Sequence, residues 1–333
     1  MSDDLAAAAA AADPRDRAGR LMRRATYAAV GVAFTLIIVK VVAYVLTGSV
    51  ALLSSLIDSA LDTAASVVNL IAVRHALQPA DEEHRFGHGK AEPLAGLGQA
   101  AFITGSSIFL VIEAVDRFVT PQEVTRGWVG IAVMAFAIVA TFGLVAYQKR
   151  VVKETNSVAI SADSLHYTGD VLINGSVIVS IVLATWFDVP YADPVFALAI
   201  AGYLLWNARA IFLSSLDLLM DREFPEEDRE RILAIARSHP LARDVHDLRT
   251  RSSGQQQFIQ LHLELDRDLT LAKAHAIADK VERDIRKAFP HADVIIHQDP
   301  VGIVESHHDD LAYGDKELAP GEVPPREGQG RGA

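Results

Sequence analysis

Two carboxylates four residues apart, Asp58 and Asp62, stand inside an apolar run from about Ser49 to Val73. Nothing else in the chain constrains the fold as much. Residues four apart on a helix share a face, and an ionisable group in a membrane span costs at least a few kcal/mol. A second apolar run, from about Val158 to Trp186, carries His166 and Asp170 at the same spacing. At ~1.5 Å per residue, the two Asp lie roughly 14 and 20 Å in from the outer end of their run. The second pair lies roughly 12 and 18 Å in from the inner end of its own. The runs cross in opposite directions, so both pairs fall in one middle layer. Two Asp, one His and one Asp supply the four nitrogen and oxygen donors that a tetrahedral divalent ion takes. The plainer reading is helix–helix contact, which a lone membrane Asp often serves; two pairs matched in depth fit it poorly. Asn69 and Asn174 read as interhelical hydrogen bonds, and Asp163 as a residue near the cytoplasmic mouth.

Half of the 333 residues are hydrophobic and mean hydropathy is positive, while the charges gather at the termini and in the last third. That distribution implies a membrane part followed by a soluble part. With no cysteine, disulfides and thiolate metal sites are excluded, so His and carboxylate must hold any metal. A net charge of −11 argues against nucleic acid as a partner. Six spans are expected: Thr26–Leu46, Ser49–Val73, Glu92–Val115, Trp128–Tyr147, Val158–Trp186 and Pro194–Leu216, each long enough for a bilayer. Arg15, Arg17, Arg20, Arg23, Arg24, Arg74, Arg85, Lys90, Lys149, Arg150 and Lys153 crowd one side, against only Arg117 and Arg126 on the other. The basic side is cytoplasmic, which puts both termini inside. The Ala-rich start, residues 1–20, reads as disordered or frayed and lacks the pattern of a signal peptide.

Between the second and third spans, Asp81, His84 and His88 sit among Pro and Gly. Spacing alone leaves an exposed metal site or a solvated polar loop open. From about residue 221 to 302 the chain becomes soluble: a helix over Pro225–Ser238, strands over Asp244–Thr250 and Gln257–Leu265 with a turn between, a helix over Leu271–Phe289 and a third strand over Asp293–His297. The order αββαβ makes a two-layer α+β domain, small enough that dimerisation would help it. His246, His262, His275, His297 and Asp299 lie in it; strand histidines are usually surface or hydrogen-bonded, and so many together leave a metal site equally open. Residues 303–333, with His307, His308, Asp309 and Asp310, read as a disordered tail.

The stretches Asp58–Asp62, Gln78–Glu92, Ala162–Asp170, His246–Arg251 and Val294–Pro300 together resemble the cation diffusion facilitator family, in its bacterial ferrous-iron and zinc efflux branch. The resemblance runs from about Leu21 to Pro300. It implies a homodimer in the bacterial inner membrane, with a six-helix all-α transmembrane domain over 21–220 and a cytoplasmic metallochaperone-like domain over 221–302. It implies export of divalent cations from the cytoplasm in exchange for protons. By it, Asp58, Asp62, His166 and Asp170 match the transport site; Asp81, His84 and His88 match a loop site. His246, His262, His275, His297 and Asp299 match a binuclear cytoplasmic site that helps hold the dimer, and Lys90 with Asp221 matches a charge pair at the membrane–cytoplasm junction.

On this reading the chain is a secondary transporter and not an enzyme, since an open coordination position with a positioned base is missing from the pattern. Zn²⁺ suits the ligands, both as cargo and in the cytoplasmic domain; Cd²⁺ is expected alongside it, and Fe²⁺ remains compatible with imidazole and carboxylate. Binding needs neutral His166 and ionised carboxylates, so metal uptake releases protons. Three carboxylates with one divalent ion leave a net charge near −1. The alternative is a membrane-anchored metal sensor or regulator, for which ionisable residues at matched depth would have no use.

Overall fold

The computed structural model describes residues 14–48, 50–119, 128–187 and 191–302. The C-terminal tail and most of the Ala-rich start, on which the two expectations of disorder fall, lie outside them.

Six long helices come first: α1 (Pro14–Thr47), α2 (Val50–Ala76), α3 (Ala91–Val119), α4 (Trp128–Thr155), α5 (Val158–Phe187) and α6 (Ala192–Leu219). Helix α1 opens on Pro14, a residue whose missing N–H costs nothing in a first turn, and Pro14–Arg20 is helical. At ~1.5 Å per residue its 34 residues outrun the hydrocarbon core of a bilayer, which is ~30 Å thick. Five of the six are long and apolar enough to cross a membrane. The remaining one, α5, is a 30-residue helix that packs against all five others. It is thus the axis of the bundle, and it carries Asp163, His166 and Asp170.

Small residues decide which helices come closest. A Cβ on Gly96 of α3 would lie 2.5 Å from the Ser215 Oγ of α6, so a larger residue there would push the Ser215 side chain aside or the helices apart. Ala100, Ile103, Ala162, Leu165, Leu204, Ala208 and Ile211 then close a core among α3, α5 and α6. Outward, Ile38, Val42, Val45, Leu61, Val68 and Ile71 are exposed, as lipid-facing positions should be, because lipid tails solvate them where water would not. Asn156 (φ 51°) turns α4 into α5, and Asp221 (φ 57°) follows the end of α6; Asn and Asp take the left-handed region more readily than other side chains.

The soluble part follows as α7 (Glu226–Arg237), β1 (Asp244–Ser253), β2 (Gln256–Leu265), α8 (Leu271–Ala288) and β3 (Ala292–Pro300). The expected αββαβ order is present. The strands run further than their apolar alternation suggests, and the hairpin between β1 and β2 is a tight turn at Gly254 (φ 58°) and Gln255. The sheet order is β1-β2-β3, with β2 antiparallel to β1 and parallel to β3. On β2, Ile259, Leu261, Leu263 and Leu265 are all buried on one face against Ile277, Val281 and Ile285 of α8 and Ile232 of α7. Each such side chain contributes roughly 1.5–3 kcal/mol on burial. Successive strand residues point to opposite faces, so Gln260, His262 and Glu264 are left for the other side.

The two parts meet at the turn between α2 and α3. A Cβ on Gly89 would fall 2.1 Å from the Ser253 carbonyl oxygen, so the β1–β2 hairpin seats directly on that turn. Arg251 lies over the rings of Phe86 and Phe258, at 5.0 and 4.7 Å. Its guanidinium is 3.5 Å from Asp221, and Asp221 also pairs with Lys90 Nζ at 3.0 Å.

Candidate metal centres

Three groups of metal-ligating side chains converge: Asp62, His166 and Asp170; Asp81, His84 and His88; and His246, His262 and Asp299. Each holds a buried polar atom whose neighbours are other would-be ligands or nothing: His166 Nε2 faces Asp62, Asp299 Oδ1 faces His297, and His88 Nδ1 has no hydrogen-bond partner among the described residues. An unpaired buried polar atom costs about 1–3 kcal/mol, so His88 Nδ1 in particular fits a group that binds a cation.

The membrane group joins α2 to α5. His166 Nε2 lies 3.2 Å from Asp62 Oδ1 and 3.9 Å from Asp170 Oδ2, so the two i,i+4 pairs meet across the bundle. The His166 ring packs against Phe102 and Tyr167, and the Tyr167 hydroxyl is 2.7 Å from Ser66 Oγ on α2. Asp58 is exposed and stands outside the compact group. The two Asn differ from each other. Asn69 donates to the Ala159 carbonyl of α5 at 3.5 Å, whereas Asn174 donates to Asp170 of its own helix at 2.7 Å. Among the described residues, Asn174 thus bonds within its own helix and makes no interhelical hydrogen bond of the kind the sequence suggests. Asp163 is fully buried, accepting from Gln148 Nε2 at 2.6 Å; it lies within the packed bundle and not at an open mouth.

One charge near this group escapes a reading by apolar runs. Lys40, two turns before the end of α1, donates to Ser59 Oγ at 2.5 Å and to the Ser55 carbonyl at 3.1 Å. Its only signal in the sequence is a lone Lys in a strongly apolar span.

In the loop, Asp81 Oδ1 accepts from the backbone N–H groups of His84 at 2.6 Å and Glu83 at 3.0 Å. The His84 N–H chiefly holds the carboxyl below the usual carboxylate range, which keeps it ionised for a cation. His88 Nε2 is 3.3 Å from Asp81 Oδ2 and His84 Nδ1 is 3.4 Å from Asp81 Oδ1. His75, in the last turn of α2, places its ring 4.6 Å from that of His88, as His84 does. Its nearness depends on the chain doubling back after α2.

The cytoplasmic group follows from strand register. His246 pairs with His262 across β1–β2, and His262 with His297 across β2–β3, so three imidazoles form a row over three strands. Asp299, two residues beyond His297, shares its face. Its carboxylate receives all three: His262 Nδ1 at 2.8 Å, His297 Nε2 at 3.0 Å and His246 Nε2 at 3.4 Å. A register shift between His246 and Arg249 leaves Asp247 at φ 46°, and this bulge turns its carboxylate to within 3.7 Å of His262 Nε2. Bulges re-aim side chains in this way, and the alternation of the strand does not announce one. His275 is not in the row: it is an exposed residue of α8 facing Asp279 at 3.7 Å.

Comparison with known proteins gives the family. Residues 26–220 match the model of the cation efflux transmembrane domain, and residues 224–301 that of the cytoplasmic domain of cation efflux proteins. The chain belongs to the cation diffusion facilitator family. It is 47% identical to the cation-efflux pump FieF of Klebsiella pneumoniae over 86% of this chain and 95% of that one. FieF of Cronobacter sakazakii gives the same identity and coverage. Among solved structures, the Zn form of CzrB is 35% identical, with a TM-score of 0.24 over 26% of this chain and 99% of that one. The metal-bound C-terminal domain of the CzcD transporter from Thermotoga maritima is 29% identical, with a TM-score of 0.23 over 24% of this chain and 93% of that one. This family member is a multi-pass membrane transporter of cations, not an enzyme.

Proposed function

We propose that this chain exports a divalent metal ion, Zn²⁺ foremost with Cd²⁺ and Fe²⁺ as further cargo, from the bacterial cytoplasm across the inner membrane in exchange for protons. The observation that carries the reading is the meeting of Asp62, His166 and Asp170 between α2 and α5 in the middle of the bundle. Asp58, one turn from Asp62 on the same helix, completes four donors once α2 shifts or rotates slightly toward α5. Imidazole with carboxylates suits Zn²⁺ better than an all-oxygen set would. The ligands must be deprotonated to bind, so protons and metal occupy the same atoms in turn. Rearrangement of the helices opens the layer to each side alternately.

The other two groups hold metal without moving it across the membrane. Asp81, His84 and His88 form an exposed loop site. His246, His262, His297 and Asp299 form the core of a site in the cytoplasmic domain, with His275 contributing from α8 if that helix's surroundings change on assembly. Zn²⁺ bound there supports a homodimer. The domains divide near residue 221, at the Lys90–Asp221 pair, and both termini are cytoplasmic.

The deciding experiment is Zn²⁺ flux in proteoliposomes containing a pH dye, with and without an imposed proton gradient, for the wild type and Asp62→Ala. Metal movement with opposite proton movement, abolished by the substitution, is expected. Flux indifferent to the gradient and unaccompanied by protons would make this a uniporter.

A further inference from the structure

Lys40 is a full charge placed inside a membrane span, and such residues need a partner within the bundle. Its ammonium crosses from α1 to α2, where it donates to Ser59 Oγ at 2.5 Å and the Ser55 carbonyl at 3.1 Å. Ser55, Ser59 and Asp62 stand at i, i+4 and i+7, one stripe of a helix. The bonds to the two serines therefore aim the charge along the face that carries Asp62. The carboxylates of Asp62, Asp170 and Asp58 are all close enough to act on it electrostatically. Among the described residues, no Asp or Glu forms an ion pair with it within 4.0 Å; its ammonium is held by a hydroxyl and a carbonyl.

We infer that Lys40 is the resident countercharge of the membrane metal site, setting the charge that the transported ion must neutralise. This rests on the transport-site reading above. Within the donor set, Asp58, Asp62 and Asp170 bring three negative charges and Lys40 returns one, so a single divalent ion leaves that set neutral; the buried Asp163, held by Gln148, stands outside it. The carboxylates alone would leave the loaded set with one negative charge. Neutrality matters because a net charge in a low-dielectric layer is costly to move or to enclose. A fixed ammonium beside the site also repels the bound metal, and the repulsion is felt strongly where screening is weak. It lowers affinity and speeds release, which a transporter needs and a storage site does not. Because serine groups hold the ammonium on α2 while its own backbone belongs to α1, the countercharge stays beside Asp62 through any motion that keeps α1 and α2 together.

The test is Zn²⁺ flux by the full-length protein in proteoliposomes, with KM and kcat measured separately. Lys40→Gln removes the charge and retains a polar group. KM should fall at least about tenfold, as expected for lost like-charge repulsion, and kcat should fall with it as release slows. Lys40→Arg, which keeps the charge, should remain near the wild type in both. Ser59→Ala, which removes one of the two groups that aim the ammonium, should lower KM in the same direction as Lys40→Gln but by less. An unchanged KM in Lys40→Gln overturns the inference. So does a raised one, which would make Lys40 a strut shaping the site. If Lys40→Gln does not assemble by size-exclusion chromatography, Lys40→Arg decides: wild-type KM and kcat uphold the charge, and a raised KM rejects it. Asp62→Ala, measured alongside, separates the two levels. Normal flux in that variant sinks the transport site itself; abolished flux, with Lys40→Gln unchanged, sinks only the role of Lys40.

Discussion

The membrane group and the cytoplasmic group use the same chemistry, imidazole and carboxylate, on opposite kinds of scaffold. Asp62, His166 and Asp170 come from two helices, and Lys40 reaches them from a third. Side-chain packing and a few side-chain hydrogen bonds fix the distance between those helices. His246, His262, His297 and Asp299 stand on three strands whose spacing is set by backbone hydrogen bonds. Helices slide by an ångström or two at low cost in a bundle, whereas a strand slip by one residue turns every side chain to the wrong face. The first arrangement suits ligands that must open to two sides in turn. The second suits a metal that stays.

That contrast can be broken most forcefully at Asp170. Asp170→Ala should reduce Zn²⁺ flux at least about a hundredfold, since breaking a buried charge cluster costs about 3–5 kcal/mol. Zn²⁺ binding by the cytoplasmic row should persist. Equilibrium binding and flux on the same preparation check both halves, and retained flux would show that the helical group is not the pathway.

Replacing His262 and Asp299 together by Ala should do the reverse. Zn²⁺-dependent stabilisation of the full-length dimer should be lost, while flux falls by only about tenfold or less, the size of an indirect effect on a metal site. Analytical ultracentrifugation with and without chelator reads the first, and vesicle flux the second. A loss of flux as deep as that of Asp170→Ala would mean that the cytoplasmic metal is part of the pathway.

Acidity sharpens the distinction further. An imidazole ligand is lost on protonation, with a reference pKa of about 6.5. Apparent transport affinity should therefore fall progressively from about pH 7.5 to 5.5. In flux assays a proton gradient, more acidic outside, should speed export. A KM constant over that window would exclude competition between protons and metal.

The smallest effect belongs to the ion pair that ties the start of β1 to the end of β2. Arg243 donates to Asp266 at 2.9 and 2.7 Å and holds its carboxyl below the ordinary range. With the folded value depressed, the pair's stabilisation is complete above the unfolded value of about 3.9. It is lost as pH falls through the folded value. Both side chains are exposed, so solvent screens the pair. Asp266→Asn should lower the melting temperature only slightly at pH 7, and the difference from the wild type should close as pH falls below the carboxylate range. A difference that persists in acid would point to packing instead of charge.

Local pattern sufficed for much of this molecule. Apolar runs of membrane length, the two i,i+4 pairs, and the change to strand alternation after Asp221 are all repeats within a few residues, and chain geometry converts such repeats directly into faces. Matched depth even brought His166 to Asp62, because a straight helix turns residue count into distance. What the tertiary structure alone decided concerns residues joined by no local period. Lys40 reaches the site because α1 packs on α2; Asp163 is enclosed because Gln148 of α4 meets it; His75 approaches His88 because the chain folds back after α2. Asp247 turns toward His262 because a bulge breaks the alternation that would have turned it elsewhere. Asp58 and His275, by contrast, have the right chemistry and stand apart from their groups. Spacing along one element sets which face a residue takes, and only the packing of elements sets how far that face stands from the next.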